Sequence, residues 1–339
     1  MRICQVVASW GDGGLEKHVV ELSNALSEQH EVALVGHPSM QERLNARIHF
    51  MPVDFSRPRW SPTLYRDVLR ALQSWPADVV HAQANKAASM VGRLRPWTPA
   101  KAWVATLHNQ KGSTRMFDRF DQVITVSPGI ASLVRKAPVT PIYNGIRVPP
   151  AVVNGREVLA GEFGFDAAQP ILVGVGRLVE AKGFDILVPA AAKAGAQVLI
   201  VGEGPMRPEL EKAIAQSGAK VVLAGFRKDA QRLMAAADGF VLSSRNEGFA
   251  YVFVEALLAE RPVLATDIPM VRDFLPRELI VPVTDVDALA AGLQRVSGDL
   301  LTWRQQMAPT FAKAQAELTL EAMVRRTAAV YTKALGLSV

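Results

Sequence analysis

The chain has 339 residues, 49% of them hydrophobic and 21% charged, and a formal net charge of +6. That length predicts two cores of about 150 residues each, and the apolar content excludes a disordered, solvated chain. The single cysteine, Cys4, lies in an apolar run, which excludes an intrachain disulfide framework and reads as a buried thiol in a reducing compartment.

From the first residues onward, short apolar runs alternate with helical spacing, the pattern of successive βα units on a parallel sheet. In the first half the strand-like runs are residues 3–8, 31–36, 48–53, 78–83, 103–108 and 122–127. Only Arg2 is charged ahead of the first run, and neither a cleavage-type segment nor an apolar stretch of about 18 residues follows, so a cytoplasmic protein is expected. Gly11, Gly13 and Gly14 form the loop after the first run, and Glu16 and Lys17 open a helix carrying Leu15, Val19, Leu22 and Leu26 on one face. The glycine spacing falls short of the dinucleotide fingerprint, and no acidic ribose partner stands about 20 residues on at a strand end, which argues against a dehydrogenase. His81 and His108 each close a strand-like run. Each reads either as a hydrogen-bonded structural group or as a residue facing substrate. The other histidines show no metal-ligand spacing.

Residues 141–155, rich in Pro, Gly and Asn, read as a linker. The alternation restarts with strands at 170–176, 197–202, 220–225, 239–243, 262–266 and 279–283, and the last forty residues are helical. Two such domains predict a cleft where the carboxyl ends of both sets of strands face each other, the place where open α/β sheets bind ligands.

The most specific cluster is Asn246-Glu247-Gly248-Phe249-Ala250-Tyr251, followed by Glu255. Glu247 projects from a strand-to-helix loop, Gly248 permits close backbone approach, and the helix start near Ala250 favours an anion such as a diphosphate. Glu255 can accept both hydroxyls of a ribose, or simply complement the helix dipole. Gly174-Val175-Gly176-Arg177-Leu178, then Lys182-Gly183, end the second domain's first strand, where Arg177 and Lys182 can neutralise a leaving diphosphate. Gly202-Glu203-Gly204-Pro205 reads as a tight turn launching a helix at Met206. Asp285 and Asp287 resemble a metal-holding pair, but they start a helix and read as capping.

Charge is unevenly spread. Lys and Arg outnumber Asp and Glu by 18 to 11 in residues 1–150, against 20 to 21 in the remainder. Arg57, Arg59, Arg66 and Arg70 cluster with Phe55, Trp60 and Tyr65, and Arg93, Arg95 and Lys101 with Trp97 and Trp103. Such a surface suits anionic lipid headgroups or a phosphorylated acceptor, with an ordinary solvated face as the alternative.

In this order and spacing, these residues resemble the large retaining glycosyltransferase family with the GT-B fold known as family 4, over nearly the whole chain. The resemblance implies an α/β fold of two Rossmann-like βαβ domains facing each other across a cleft. The N-terminal acceptor-side domain would comprise residues 1–150 plus about 320–339, and the nucleotide-sugar domain about 151–319. The last helix would cross back to the first domain. It implies that Glu255 binds the donor ribose, Arg177 and Lys182 the diphosphate, and Glu247 with the amides of Gly248, Phe249, Ala250 and Tyr251 the donor sugar and phosphate. His108 would sit beside the donor sugar, and Gly13 and Gly14 would approach the diphosphate and acceptor. The chain departs from the family pattern at Arg147, Ala250 and Asn109.

The expected reaction is retaining transfer of a sugar from a nucleotide diphosphate donor, UDP-sugar being favoured, to an acceptor hydroxyl. No metal or other cofactor is expected, and the catalytic set is His108, Glu247, Arg177 and Lys182. The acceptor is expected to be a glycan or lipid-linked glycan of cell-envelope or lipopolysaccharide synthesis. The basic first domain is expected to touch the cytoplasmic membrane face, with nucleic acid not a partner. The rival readings are a sugar-nucleotide epimerase of the same architecture and a non-enzymatic membrane or nucleic-acid scaffold.

Overall fold

The computed structural model describes residues 1–11, 13–109, 113–247 and 249–338. The chain divides into two compact units, Met1–Ile146 with Glu317–Val339, and Arg147–Ala316.

The first unit opens with β1 (Arg2–Val7), α1 (Gly14–Leu26), β2 (Glu31–Gly36), β3 (His49–Pro52), α2 (Pro62–Ser74), β4 (Ala77–Gln83), α3 (Ala84–Leu94), β5 (Ala100–Leu107), β6 (Gln122–Thr125) and β7 (Val139–Pro141). Among the described residues these strands make one parallel sheet in the order β3-β2-β1-β4-β5-β6-β7. Alternation within each strand sends side chains to opposite faces. Cys4 and Val6 join the core formed with Leu64, Val68 and Leu72 of α2 and Met90 and Val91 of α3. Ile3 and Val7 join the opposite core with Val19, Leu22 and Leu26 of α1. Burial drives the Cys4 thiol up to about 12, so it stays protonated and inert.

The second unit runs through α4 (Gly155–Phe163), β8 (Ile171–Val175), α5 (Phe184–Ala194), β9 (Gln197–Val201), α6 (Arg207–Ser217), β10 (Val221–Gly225), α7 (Ala230–Ala236), β11 (Gly239–Leu242), α8 (Tyr251–Leu258), β12 (Val263–Thr266), α9 (Pro269–Arg272), β13 (Ile280–Val281), α10 (Val286–Gly298) and α11 (Leu300–Glu317). Its described strands form a parallel sheet in the order β10-β9-β8-β11-β12-β13. The core strands β8 and β9 carry buried Ile171, Leu172, Val198, Leu199 and Ile200, and Asp285 caps α10 by accepting from Ala288 N–H at 2.9 Å. In both sheets the order reverses direction beside the first strand, between β1 and β4 and between β8 and β11. Chains diverge there, leaving the carboxyl ends open for a ligand.

The chain then enters α12 (Leu320–Ala334), capped by the Thr319 hydroxyl accepting from Ala322 N–H at 3.2 Å. This helix packs with α1, and its Leu320, Met323, Val330 and Tyr331 complete the core on that face. The segment expected to be a linker from residue 141 is partly built into the first unit. β7 pairs with β6, and Ile142, Tyr143, Asn144 and Ile146 are buried. A Cβ on Gly145 would fall 2.2 Å from the Thr319 carbonyl oxygen, so glycine is needed where the chain passes the start of α12. Residue composition suggested a loop because prolines hide a three-residue edge strand, whose pairing is supplied by β6.

Candidate functional site

In the second unit, the loops after β8 and β11 are tied together at the switch point. The Lys182 ammonium is 2.5 Å from Glu247 Oε1, and the Ser244 hydroxyl donates to the same oxygen at 2.7 Å. Their side chains are 22% and 11% exposed, so the pair is partly shielded yet reachable. Ser243 Oγ donates to the Lys182 carbonyl at 2.8 Å, and Arg245 N–H donates to the Ala181 carbonyl at 2.8 Å. The Arg245 guanidinium grips Asp185 in a bidentate pair at 2.7 and 2.6 Å and also donates to the Glu180 carbonyl. These contacts explain why Lys182 and Glu247, 65 residues apart, hold one geometry.

The glycines permit the close packing of these loops. Gly183 has φ +65°, and a Cβ there would lie 2.0 Å from the Ser243 carbonyl oxygen. A Cβ on Gly202 would lie 1.9 Å from the Gly176 carbonyl oxygen, and one on Gly204 would lie 2.4 Å from that of Leu178. The segment 202–205 therefore does more than turn the chain. It docks its backbone on the Arg177 loop, with Leu178 N–H donating to the Glu203 carbonyl at 2.9 Å. Gly176 has a different reason, since a Cβ there would press on the Lys182 stem at 3.2 Å.

Beside these loops, at the carboxyl ends of β8, β9 and β10, is a hollow of about 390 Å³ lined by Val175, Gly176, Arg177, Val201, Gly202, Glu203, Phe226, Arg227 and Ala230. Arg177 is exposed and has no ion pair among the described residues. Arg227, by contrast, is taken by Asp229 at 2.8 Å and Glu162 at 2.6 Å, and these arginine contacts hold the Asp229 carboxyl far below the usual range. Phe226 is 72% exposed at the rim. It escaped the sequence reading, although an aromatic directly after a strand-ending glycine was a usable signal.

α8 begins immediately after Ala250, which is buried, and Phe249 packs edge-on to Tyr251 at 4.7 Å between centroids. Glu255 lies on α8 and accepts from Gln231 Nε2 at 2.9 Å. Gly248 lies outside the described residues. Among the described residues, no three His, Cys, Asp or Glu side chains converge as a metal-binding group.

In the first unit, the loop after β1 is organised by Glu16. Its carboxylate bonds the Ser9 hydroxyl and accepts from Gly13 N–H at 3.0 Å, at the start of α1. Burial alone would raise the Glu16 carboxyl, but these hydrogen bonds outweigh it and hold it below its ordinary value. Gly13 thus caps α1, Gly14 is its first residue, and a carboxylate already occupies the dipole end where an anion would bind.

His108, just past β5, is part-buried, with Nε2 at 2.9 Å from Gln83 Oε1. Its ring meets that of His18 edge-on at 4.8 Å between centroids. Desolvation, assisted by the neighbouring His18 and His81, keeps His108 well below the ordinary histidine range. Burial also lowers His18 to about 4 and His81 to about 3. His81 is fully buried between the Tyr331 hydroxyl and Thr106 Oγ1, both at 2.7 Å, which resolves the open reading of this residue in favour of structure.

Two family models match the chain, one to each half. Residues 12–148 match "Glycosyltransferase Family 4" and residues 169–299 match "Glycosyl transferases group 1". The lipopolysaccharide core biosynthesis glycosyltransferase LpsE of Rhizobium meliloti is 27% identical over 310 residues, covering 85% of this chain and 86% of its own. LpsD of the same organism, with the same description, is 28% identical over 304 residues, with the same coverage of each chain. The crystal structure of Anabaena HepE in complex with UDP is 20% identical, covers 98% of this chain and 100% of its own, and superposes with a TM-score of 0.83. It shares the two Rossmann-like units of the GT-B fold. With both halves matched and both sheets in the same strand order, the chain belongs to the family 4 glycosyltransferases.

Proposed function

We propose that this glycosyltransferase moves a sugar from a nucleoside diphosphate donor, UDP-sugar in preference to others, to an acceptor hydroxyl with retention at the anomeric carbon. The observation that carries this reading is the Lys182–Glu247 pair beside the unpaired Arg177 and the hollow at the ends of β8, β9 and β10. The base occupies the hollow against Phe226, Glu255 takes the ribose hydroxyls, and Arg177 and Lys182 meet the diphosphate. Glu247 and the segment through Gly248, Phe249, Ala250 and Tyr251 hold the sugar and its phosphate at the start of α8. His108 acts at the transferred sugar, and Gly13 and Gly14 belong to the acceptor side, where Glu16 already holds the Gly13 N–H. The UDP bound to HepE supports the choice of base.

In the reaction the bond from the anomeric carbon to the diphosphate oxygen breaks, and its electron pair leaves with the diphosphate. The acceptor oxygen attacks the same face of the oxocarbenium-like carbon, and its proton passes to the departing phosphate oxygen. Negative charge grows on the diphosphate toward the transition state, so Arg177 and Lys182 stabilise that state more than the ground state. No metal enters this scheme. The family assignment favours transfer over epimerisation.

The descriptions of the two Rhizobium relatives support an acceptor in lipopolysaccharide or related envelope glycan synthesis. A face of the first unit suits contact with an anionic membrane. Trp60 and Trp97 are 63% and 62% exposed, and Arg93 lies over Trp60 while donating to the Tyr65 hydroxyl. Arg59, Arg70 and Arg93 have no carboxylate partner among the described residues.

Thermal unfolding with UDP, GDP and ADP in turn tests the donor. A nucleotide binding the native state at 100 times its Kd adds about 2.7 kcal/mol. UDP is expected to give the largest rise, and equal rises for all three would overturn the base assignment. Proton NMR of the product then reads retention or inversion directly.

A further inference from the structure

Beneath His108 a connected chain of hydrogen bonds runs through the largely apolar face covered by α1 and α12. His108 Nε2 is 2.9 Å from Gln83 Oε1, Gln83 Nε2 donates to Gln5 Oε1 at 2.9 Å, and Gln5 Nε2 donates to the Tyr331 hydroxyl at 2.9 Å. That hydroxyl meets His81 Nδ1, and His81 Nε2 meets Thr106 Oγ1. Gln5, His81 and Tyr331 are 0% exposed, Gln83 1% and Thr106 2%. Strand register assembles them, with Gln5 opposite His81 and Gln83 opposite Thr106. Buried polar groups cost stability unless bonded, and aliphatic residues would satisfy packing alone.

The orientations of the two amides set a direction. Each amide has one donating and one accepting end. With both Nε2 atoms donating as arranged, Gln83 Oε1 is left to accept, so His108 Nε2 carries the proton and Nδ1 keeps its lone pair. Tyr331 accepts from Gln5 and donates to His81 Nδ1, whose Nε2–H then donates to Thr106. Turning one amide alone sets two donors or two acceptors face to face, so the chain holds its direction as a whole. The residue after Gln83, Ala84, has φ +66°, a conformation rare outside glycine, at the point where the chain turns from β4 into α3.

We propose that Tyr331, acting through Gln5 and Gln83, is a positioning residue that holds His108 in its Nε2–H tautomer and fixes the ring for sugar transfer. The inference rests on the assignment of His108 to the transfer site. It makes α12, which follows the whole donor unit in sequence, a working part of the N-terminal site.

The test is ¹⁵N NMR of ring-labelled histidine in the full chain, with His108 identified by the signal missing from His108→Gln. In the wild type His108 is expected as the Nε2–H form. In Tyr331→Phe, its signals are expected to move toward a tautomer mixture, with kcat falling on the order of tenfold, as for one lost hydrogen bond, and donor KM within about twofold. Unchanged His108 signals in Tyr331→Phe together with an unchanged kcat overturn the proposal. Should Tyr331→Phe fail to fold, Gln83→Leu removes the direct acceptor and must shift the same signals, or the proposal falls. If His108→Gln retains wild-type kcat, the placement of His108 at the sugar fails, while the NMR still decides whether Tyr331 sets its tautomer.

Discussion

Lys182 Nζ and Glu247 Oε1 stand 2.5 Å apart, joining the loop after β8 to the loop after β11. The pair means that each partner's removal leaves a partly buried charge, so single substitutions have two effects. Lys182→Met is expected to lower kcat by about 10² to 10³ at saturating donor, as does loss of one preorganised donor at a developing anion. Glu247→Gln keeps shape and the hydrogen bond from Ser244, and frees the ammonium. It should retain diphosphate binding while losing turnover. Binding of the free nucleotide by calorimetry, set beside kcat, separates the two, and wild-type turnover in Lys182→Met would refute the role.

Two glycines of the second unit tolerate no side chain. Gly183→Ala and Gly202→Ala add a Cβ within 2.0 and 1.9 Å of a carbonyl oxygen of a neighbouring loop, at φ +65° and +148°. The left-handed region alone costs alanine about 1–2 kcal/mol, and the overlap forces the loops apart. Each variant should lose more than about 2 kcal/mol of stability and bind nucleotide more weakly. Gly161→Ala, inside α4 with nothing within 4 Å of the new Cβ, should instead gain about 0.5–1 kcal/mol. Urea midpoints distinguish the two classes.

Much of this was legible in the sequence because buried parallel strands are apolar runs closed by glycine. The runs around Ile171, Val198 and Phe240 gave their strands to within a residue or two. β7 was hidden, since Pro141 and the short span remove alternation and the pairing partner is remote. Lys182 and Glu247 were legible as chemistry, but their contact was not, because it depends on Arg245 binding Asp185 across the two loops. Gln5 and Gln83 carry no signal of their own in the sequence, because a polar residue within a strand ordinarily marks a solvated face. Only the docking of α12 shows that their face is covered and their amides must find partners.

Buried histidines make stability depend on pH. His18 and His81 titrate near 4 and 3 when folded, against about 6.5 unfolded, so between those values the unfolded chain binds more protons. Their contribution is complete above about pH 6.5 and is lost as pH falls toward 4 for His18 and 3 for His81, with a slope of up to about 1.4 kcal/mol per pH unit for each histidine. His108 shifts in the same direction. Urea midpoints at pH 7.5, 6 and 5 should fall stepwise, and His18→Phe should flatten the fall, as the His18 ring nitrogens have no hydrogen-bond partner among the described residues. Equal midpoints from pH 7.5 to 5 would show that these rings are hydrated.

Tryptophans and arginines share a face around α2 and α3. Trp60 precedes α2, whose exposed Arg66 and Arg70 continue along the helix, and Gln73 Nε2 reaches the carbonyl of Trp97 at 3.0 Å beyond α3. The face therefore carries an exposed indole toward each end and cations between. Indoles favour the headgroup level, and each cation near an anionic surface adds about 1 kcal/mol. The chain should bind vesicles containing anionic lipid more than neutral ones, and raised salt should weaken that binding by screening. Arg59, Arg70 and Arg93 have no competing carboxylate among the described residues, so changing all three to Gln should cost about 3 kcal/mol of vesicle affinity while leaving nucleotide binding intact. Trp60→Ala with Trp97→Ala should reduce binding that survives high salt. Cosedimentation that is equal for neutral and anionic vesicles, or unchanged in the triple variant, would assign this face to solvent.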